Sequence, residues 1–307
     1  MAPLCPEGET TDPQSPIFDH ADSDASTTWA EFAAVMDGEQ SGELCSLCID
    51  LISRRMTHPG QKRQQNQDSL LTIEANRISN SVGLPIGVYA VADGVGGQAS
   101  GEVASKLTVD AIAQKAQIEA IAPYLNSGAV PFADPTLWMI EVTNAANQLV
   151  RSCRQEMQSN MSTTLVWALV LEDVAYIANV GDSRAYVMND SGFRQITRDH
   201  SLVGRLVADG QITAEQARVH PHRNVVYRAM GSSDQVDVDV FVEPLRIGDR
   251  LLLCSDGLSS MLSGEALWQG AMSSKSLAES CSRLVREANE AGGPDNITVI
   301  LVELVVM

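Results

Sequence analysis

Three hydrophobic runs in the middle of the chain follow one another with almost no sequence between them. They are "TLVWALVL" (164–171), "VAYIANV" (174–180) and "AYVM" (185–188), and they are rich in residues that favour strands. Parallel neighbours in a sheet need a crossover of about a dozen residues, whereas antiparallel neighbours need only a tight turn. The spacing therefore predicts antiparallel strands. Further strand-like runs occupy residues 87–92, 238–242, 250–255 and 297–306.

Helical periodicity separates these groups of strands. Apolar residues recur at helical spacing over 101–121, 136–158 and 276–291, and Gly292 is placed to cap the third helix. Helices that come in blocks between groups of strands predict an α+β fold with layered sheets. The faces expected to be buried are Val103, Leu107 and Ala111 in the first helix; Leu137, Ile140, Ala145, Leu149 and Cys153, interrupted by Asn144, in the second; and Leu277, Cys281, Leu284 and Ala288 in the third.

The charge of the chain excludes two classes of partner. The formal net charge is −18, whereas binding to a phosphate backbone or to an anionic membrane surface depends on clustered Lys and Arg. No apolar run is long enough for a membrane span, and the N-terminus lacks the pattern of a secretory signal. Six scattered cysteines in 307 residues do not form a disulfide framework, so we expect a protein of the reducing cytoplasm.

The N-terminal segment differs from the rest of the chain. Residues 1–53 contain eleven Asp and Glu and no Lys or Arg, and residues 1–47 are also rich in Pro, Ser and Thr. Such a composition predicts a largely disordered extension over 1–47, followed by a folded domain over 48–307.

Two motifs, one in that extension and one at its end, each have more than one interpretation. In "STTWAEFAAVM", Thr28 and Glu31 fit a capping box, which predicts a short helix that packs on the main domain or docks on a partner. Cys45 and Cys48 have the spacing of half a zinc site, but no second pair lies nearby. We interpret them as two unrelated thiols.

Carboxylates recur at the ends of the predicted strands. Asp68, Asp93, Asp182, Asp256 and Asp295 all lie at strand ends or turns, and four of the five have a glycine beside them or one position away. Glycine allows the backbone to approach a ligand closely. Five carboxylates in one cleft would repel one another unless cations neutralise them. Because the donors are oxygens, Mg²⁺ or Mn²⁺ fits better than zinc, and two such ions suit hydrolysis of a phosphate ester by a bridging hydroxide.

A phosphate group also calls for a cationic side chain. Arg63, five residues before Asp68, can bind two phosphate oxygens at once, although a surface salt bridge is the simpler interpretation. Arg184 in "GDSR" is expected to brace its turn, and His200 to close a turn or cap the next helix. No histidine lies in a Ser/His/Asp arrangement, and "DGVGG" lacks the remaining residues of a P-loop.

The ordered motifs "RQQNQDS", "VADGVGG", "MSTTL", "NVGDSRAYV", "DHSLV", "CSDGL" and "GGPDNITVI" strongly resemble the metal-dependent protein Ser/Thr phosphatases of the protein phosphatase 2C type, in their bacterial form. The resemblance covers about residues 50–306. It implies a four-layer α-β-β-α sandwich with two central antiparallel sheets and a metal cleft at one end. It also implies two or three Mn²⁺ or Mg²⁺ ions and a flap at about residues 201–232 that influences substrate choice.

The same resemblance implies roles for the acidic residues. Asp93 would bridge two ions, with the backbone carbonyl of Gly94 as a further ligand. Asp256 and Asp295 would hold the second ion.

Three further roles follow from the resemblance. Asp182, together with Asp256, matches the acid that holds a third, weaker ion. Asp68 would act through metal-bound water, and Arg63 matches the arginine that binds the phosphate.

Three positions depart from the family pattern. Gln67 stands where many members have Glu, and Ser162 where many have Gly. Val95 stands where eukaryotic members often have a His proposed as general acid, so the general acid is unassigned.

The sequence as a whole predicts an active, monomeric phosphatase that acts on phosphoserine and phosphothreonine in phosphoproteins. A Ser/Thr kinase of the same cell is the expected source of these phosphoproteins. An alternative is a weak or inactive module of the same fold with a binding role. A third is a phosphatase dedicated to one regulatory protein.

Overall fold

The structure is a computed structural model, and it describes residues 48–79, 82–96 and 100–307. The predictions for residues 1–47, namely the disordered extension, its short helix and the role of Cys45, lie outside the described residues.

Two antiparallel sheets form the centre of the molecule. The first has the strand order β1-β11-β10-β7-β8, and the second has the order β2-β3-β5-β6-β9, with β4 paired to β3. The strands of the first sheet are β1 (Ile49–His58), β7 (Arg184–Asn189), β8 (Gly192–Gln195), β10 (Arg250–Cys254) and β11 (Ile297–Val306). Those of the second are β2 (Asp68–Ser79), β3 (Val82–Val95), β4 (Ser162–Thr163), β5 (Leu165–Leu171), β6 (Val174–Val180) and β9 (Asp239–Pro244).

Helices cover the outer face of each sheet. The second sheet is covered by α1 and α3 and the first by α7 and α8, so the layers are α-β-β-α, as predicted. The helices are α1 (Ser100–Ala116), which continues through a π-helical turn (Gln117–Ile121) into α2 (Ala122–Ser127), then α3 (Pro135–Glu156), α4 (Leu202–Ala208), α5 (Ala214–Val219), α6 (Asp256–Ser259), α7 (Gly264–Met272) and α8 (Leu277–Glu290). Within the described ranges, none of these helices combines the length and the apolar character that crossing a membrane requires.

Strand β5 shows how the sequence builds these layers. Val166, Ala168 and Val170 pack into the core between the two sheets, and the alternating Leu165, Trp167 and Leu169 pack against the helices. Side chains alternate between the faces of a strand, so a strand that is apolar throughout must be buried on both faces. This strand therefore belongs at the centre of the sandwich.

The predicted buried face of the second long helix was wrong, although the helix itself is present as α3. Leu137 and Leu149 are 59% and 53% exposed, and the buried face contains Trp138, Met139 and Val142 instead. Trp138 stacks on Phe132 with 4.5 Å between the ring centroids. Burial of this large aromatic surface sets the rotation of the helix.

The other two predicted faces agree better with the structure. On α1, Ala111 is buried, while Val103 and Leu107 are half-buried. On α8, Leu277, Cys281, Leu284 and Ala288 are all buried against the first sheet, as predicted. Gly292 has φ of 122°, in the region that favours glycine, and lies just beyond the end of that helix.

Candidate active site

The five predicted carboxylates lie together at one end of the sandwich. Asp68 opens β2 and Asp93 lies near the end of β3, and the two face each other directly in the strand register. Asp182 lies in the turn between β6 and β7, Asp256 begins α6 directly after β10, and Asp295 precedes β11. The charges of the other four acids all act on Asp93. Sequence positions up to 227 residues apart, from Asp68 to Asp295, are thus brought into one cluster.

Asp68 is held in place through one of its two carboxylate oxygens. Its Oδ2 accepts hydrogen bonds from Thr298 Oγ1 at 2.6 Å and from Ser255 Oγ at 2.8 Å. Its Oδ1 is buried and has no hydrogen-bond partner. Burial raises the pKa of Asp68 to about 7, while the two hydroxyl donors favour the charged form. One oxygen is therefore oriented by the protein, and the other is available to a ligand.

The backbone around Asp93 is fixed by two threonines. The Asp93 carbonyl accepts hydrogen bonds from Thr163 Oγ1 at 2.8 Å and from the Thr164 N–H at 2.9 Å. The Asp93 N–H donates to Thr164 Oγ1 at 3.1 Å. Burial, followed by the charge of Asp68, raises the pKa of Asp93 well above its usual value. The motif "MSTTL" thus supplies the support of Asp93, a role that the sequence alone did not indicate.

Gly94 has no room for a side chain. A Cβ at this position would lie 2.2 Å from the carbonyl oxygen of Gly101 at the start of α1. The Gly94 N–H also donates to the carbonyl of Gln67 at 3.2 Å. The end of β3 therefore packs directly against the first turn of α1 and against the chain that leads into β2.

Asp182 is buried and Asp256 is half-buried, and both carboxylates have raised pKa values. Asp256 Oδ1 is buried without a partner, and burial followed by the charge of Asp295 raises its pKa, opposed by a hydrogen bond to Asp93. Burial, followed by the charge of Asp256, raises the pKa of Asp182 to about 8. At Gly257, a Cβ would lie 1.9 Å from the carbonyl oxygen of Asn296. Glycine is thus required where the Asp256 helix meets the turn that carries Asp295.

Arg184 and His200 support the turn that carries Asp182. Arg184 donates two hydrogen bonds to Asp199, at 2.9 and 2.7 Å, so it braces the turn as predicted. The backbone N–H of His200 donates to the Gly181 carbonyl at 2.8 Å. In return, the backbone N–H of Gly181 donates to the ring nitrogen Nδ1 of His200 at 3.0 Å. His200 is buried and closes this turn, as predicted.

Asn296 links the β1–β2 loop to the acidic cluster. Its Nδ2 donates to the carbonyls of Pro59 at 3.0 Å and Gln65 at 2.9 Å, and its Oδ1 accepts from the Gln67 N–H at 2.8 Å. The side chain is buried. Sequence analysis singled out Asp295 in this motif and gave Asn296 no role. Its position next to a site acid, in a turn that leads into a buried strand, is the signal that was available.

Arg63 lies in the loop that Asn296 holds. Its side chain is 52% exposed and donates from Nη2 to Asp295 Oδ2 at 2.8 Å. The hydrogen bond and the charge of Asp295 raise the pKa of Arg63, and the charges of Asp93 and Asp256 add to the effect. The guanidinium is therefore held at the edge of the acidic cluster and remains open to solvent on one side.

The donor set fits hard divalent cations. Asp68 and Asp256 each have one buried oxygen without a partner, and carboxylate oxygens are the donors that Mg²⁺ and Mn²⁺ prefer. Over the described part of the chain, no three His, Cys, Asp or Glu side chains are arranged so that they could hold one ion as they stand. One of the five, Asp295, pairs with Arg63 instead. The fit therefore rests on the type, burial and grouping of the donors.

A large cleft adjoins the cluster. It has a volume of about 930 Å³, and Asp182 and Asp256 form part of its lining. Residues of α4, α5 and the following turn, which belong to the predicted flap, form another part. The cluster therefore opens into a space that is larger than a phosphate group requires.

Comparison with known proteins identifies the family. A model of the protein phosphatase 2C family matches residues 57–298. The chain belongs to the protein phosphatase 2C family. The serine/threonine phosphatase stp of Listeria welshimeri is 38% identical over 249 residues, which are 80% of this chain and 93% of the relative. The protein phosphatase PhpP of Streptococcus pneumoniae is 35% identical over 250 residues, with 81% and 96% covered.

Solved structures of phosphatases show the same fold as this protein phosphatase 2C member. The serine/threonine phosphatase PstP/Ppp of Mycobacterium tuberculosis has a TM-score of 0.71 and 32% identity, with 83% of this chain and 99% of that chain covered. The catalytic domain of PstP in complex with two manganese ions has a TM-score of 0.70 and 31% identity, with 84% and 99% covered. The predictions of the family, the α+β sandwich, a metal-dependent Ser/Thr phosphatase and Mn²⁺ or Mg²⁺ as cofactor are confirmed.

Proposed function

We propose that the acidic cluster is the catalytic centre of this phosphatase and that it hydrolyses phosphoserine and phosphothreonine in phosphoproteins. The observation that supports this most directly is the cluster of five aspartates beside an open cleft, in which Asp68 and Asp256 each have one buried oxygen without a partner in the described residues. We further propose a monomeric, cytoplasmic enzyme that reverses the action of a Ser/Thr kinase in the same cell.

Within this proposal, Asp93, the Gly94 carbonyl, Asp256 and Asp295 would hold the ions, and Asp182 would contribute to a third, weaker site. Ions at these positions would lower the pKa of a water molecule and offset the charge of the phosphate. Such neutralisation suits the cluster, because burial and mutual repulsion now raise the pKa values of Asp93, Asp182 and Asp256.

Asp68 and Arg63 are proposed to position water and the phosphate group. Asp68 has Oδ2 fixed by Ser255 and Thr298, so its unpartnered Oδ1 would accept a hydrogen bond from a water molecule. Arg63 exchanges its bond with Asp295 for bonds to two phosphate oxygens, and its exposed position allows this movement. A hydroxide derived from water would form the new bond to phosphorus as the P–O bond to the Ser or Thr oxygen breaks. That oxygen would take its proton from water or from another group, because Val95 has no ionisable group.

For the whole chain, we propose a catalytic domain over residues 48–307 with a flap at about 201–232. The match of the family model to residues 57–298 supports this division. We propose that residues 1–47 form a separate acidic extension.

The test is an assay with p-nitrophenyl phosphate and a phosphothreonine peptide in Mn²⁺, Mg²⁺ or EDTA. We expect activity with either metal and none in EDTA. Asp256→Asn should lower kcat by about a hundred-fold or more, since it removes a charged ligand of the reacting centre. Arg63→Ala should lower kcat/KM by about ten-fold or more, through loss of a charge-assisted bond to the phosphate.

Matched controls are available on the outer surface. Asp110 is exposed and pairs with Lys106, and Arg286 is exposed on α8. Asp110→Asn and Arg286→Ala should leave both rates unchanged. A folded wild-type protein that is inert with every metal would favour the binding-module alternative instead.

A further inference from the structure

The cleft beside the acidic cluster is lined by arginines, and we refer to it as the arginine groove. Its arginines come from the flap and from the strands and turns that face it, and Asp182 and Asp256 lie on the same lining. The groove is thus continuous with the proposed catalytic centre. The six arginines are Arg184, Arg198, Arg205, Arg218, Arg223 and Arg228.

Three of these arginines have structural partners. Arg184 is paired with Asp199, and Arg228 is paired with Asp239 at 2.8 Å. Arg218 donates to the carbonyls of Ser260 at 3.2 Å and Met261 at 2.6 Å. Their hydrogen-bonding capacity is largely used within the protein.

The other three arginines have guanidinium N–H groups that remain available to a ligand. Arg198 and Arg223 are exposed, and within the described residues their side chains make no hydrogen bond or ion pair. Arg205 is 75% exposed, and its nearest carboxylate is Asp209 at 3.9 Å. Arg198 lies between β8 and α4, whereas Arg205 and Arg223 belong to the flap. Free guanidinium groups therefore line the groove from the flap and from the segment before it.

The charge of the groove contrasts with that of the chain. The lining has six arginines and six carboxylates, so its formal charge is zero by itself. Ions held by Asp182 and Asp256 would offset those two and leave six arginines against the other four carboxylates, a formal charge of +2. The four carboxylates are Asp199, Asp239, Glu215 and Glu265. The whole chain has a charge of −18. A positive lining in a strongly negative protein favours a negatively charged ligand at this place and disfavours one elsewhere on the surface.

We propose that the arginine groove binds an acidic stretch of the phosphoprotein substrate, next to the phosphorylated residue that enters the cluster. This rests on the proposed function, because flanking residues of a substrate lie in the groove only if the phosphorylated residue enters the adjoining cluster. The volume of about 930 Å³ exceeds what the phosphate alone needs and leaves space for flanking residues. Planar guanidinium groups suit carboxylates, which they bind through two parallel hydrogen bonds.

The experiment compares three phosphothreonine peptides of equal length. One has Glu and Asp on the N-terminal side of the phosphothreonine, one has them on the C-terminal side, and one has Gln and Asn throughout. We expect kcat/KM for at least one acidic peptide to exceed that of the neutral peptide by about ten-fold, since two exposed charge pairs each contribute up to about 1 kcal/mol. The preference should decline as salt is raised.

The double variant Arg198→Gln, Arg223→Gln should abolish this preference and leave kcat/KM for p-nitrophenyl phosphate within about two-fold of wild type. The matched control is Arg246→Gln, Arg286→Gln, which removes two exposed arginines outside the groove. It should retain the preference. Equal kcat/KM for all three peptides in the wild type, or an equal loss in both double variants, would overturn the proposal.

A second measurement separates this proposal from the proposed function. An unphosphorylated acidic peptide with a fluorescent label should bind the wild type, and also the Asp256→Asn variant, with a Kd about ten-fold lower than for the Arg198→Gln, Arg223→Gln variant. Binding with this dependence but no hydrolysis would uphold the groove and reject the catalytic assignment. Hydrolysis of the phosphopeptides without this dependence of peptide binding on Arg198 and Arg223 would uphold the catalytic assignment and reject the groove.

Discussion

Asn296 holds the loop between β1 and β2, which carries Arg63, in position. Its amide bonds to Pro59, Gln65 and Gln67, on both sides of Arg63 in the sequence. We expect Asn296→Ala to lower the free energy of unfolding by about 2–3 kcal/mol, because buried backbone groups lose their partners. We also expect kcat/KM for p-nitrophenyl phosphate to fall by about ten-fold or more, because Arg63 is displaced. Urea unfolding and steady-state kinetics measure the two effects.

Asn76 provides the control for that prediction. It also donates two hydrogen bonds, to the Ile49 carbonyl at 3.0 Å and to Asp50 at 2.9 Å, but it lies about 26 Å along β2 from Asp68. Asn76→Ala should destabilise the protein without lowering kcat/KM once the folded fraction is corrected for. If both variants lose activity in proportion to stability, Asn296 has no positioning role.

At this scale the sequence predicted the acids better than their supports. Asp68, Asp93, Asp182, Asp256 and Asp295 could be found because they repeat one local pattern at strand ends. The contacts of their supports cross long stretches of sequence: Thr298 to Asp68 spans 230 residues, and Asn296 to Gln67 spans 229. Local pattern does not contain the register that makes such contacts, so these supports could only be seen in the structure.

At the scale of elements, Arg218 links helix α5, in the proposed flap, to the turn that follows helix α6. This half-buried residue on α5 donates to two carbonyls at the end of α6, which begins with Asp256. We expect Arg218→Met to release the flap helices and to raise the rate of proteolytic cleavage within residues 202–224 by about five- to thirty-fold, for a loss of one to two kcal/mol in local stability. Limited proteolysis with mass spectrometry locates and times the cuts.

The exposed Arg205 on the neighbouring helix α4 is the matched control, since its one ion pair among the described residues is with Asp209, at 3.9 Å, at the end of the same helix. Arg205→Met should leave the cleavage rate unchanged. Equal acceleration by both changes would mean that side-chain charge, and not the link between α5 and α6, protects the flap.

Elements with a strong apolar period were predictable, and those without it were not. The runs that became β5, β6 and β11 were predicted within a residue of their observed bounds. Strand β8 was missed because its four residues are exposed or half-buried and have no apolar alternation. The buried face of α3 was wrong because its core includes the polar Thr143 and Asn147, which hydrogen bonds make compatible with burial.

At the scale of the whole molecule, the acidic cluster ties stability to pH and to metal. Burial raises the pKa of Asp68 to about 7 and that of Asp182 to about 8, above the value of roughly 4 expected in the unfolded chain. The folded protein therefore binds these protons more tightly than the unfolded one. Without metal, stability is highest at low pH within this window and falls as the pH rises from about 4 through about 8.

We therefore expect the protein in EDTA to unfold at lower urea concentration at pH 8 than at pH 5.5. Asp68 alone accounts for about 2 kcal/mol between these values, at 1.36 kcal/mol for each unit of pH below its folded pKa. Mn²⁺ should remove most of the difference, because bound cations offset the repulsion and add binding free energy to the folded state alone. Asp182→Asn should reduce the difference in EDTA, whereas Asp110→Asn on the outer surface should not. If stability in EDTA is constant or rises between pH 5.5 and pH 8, the five carboxylates are farther apart or more exposed to water than they are in the structure.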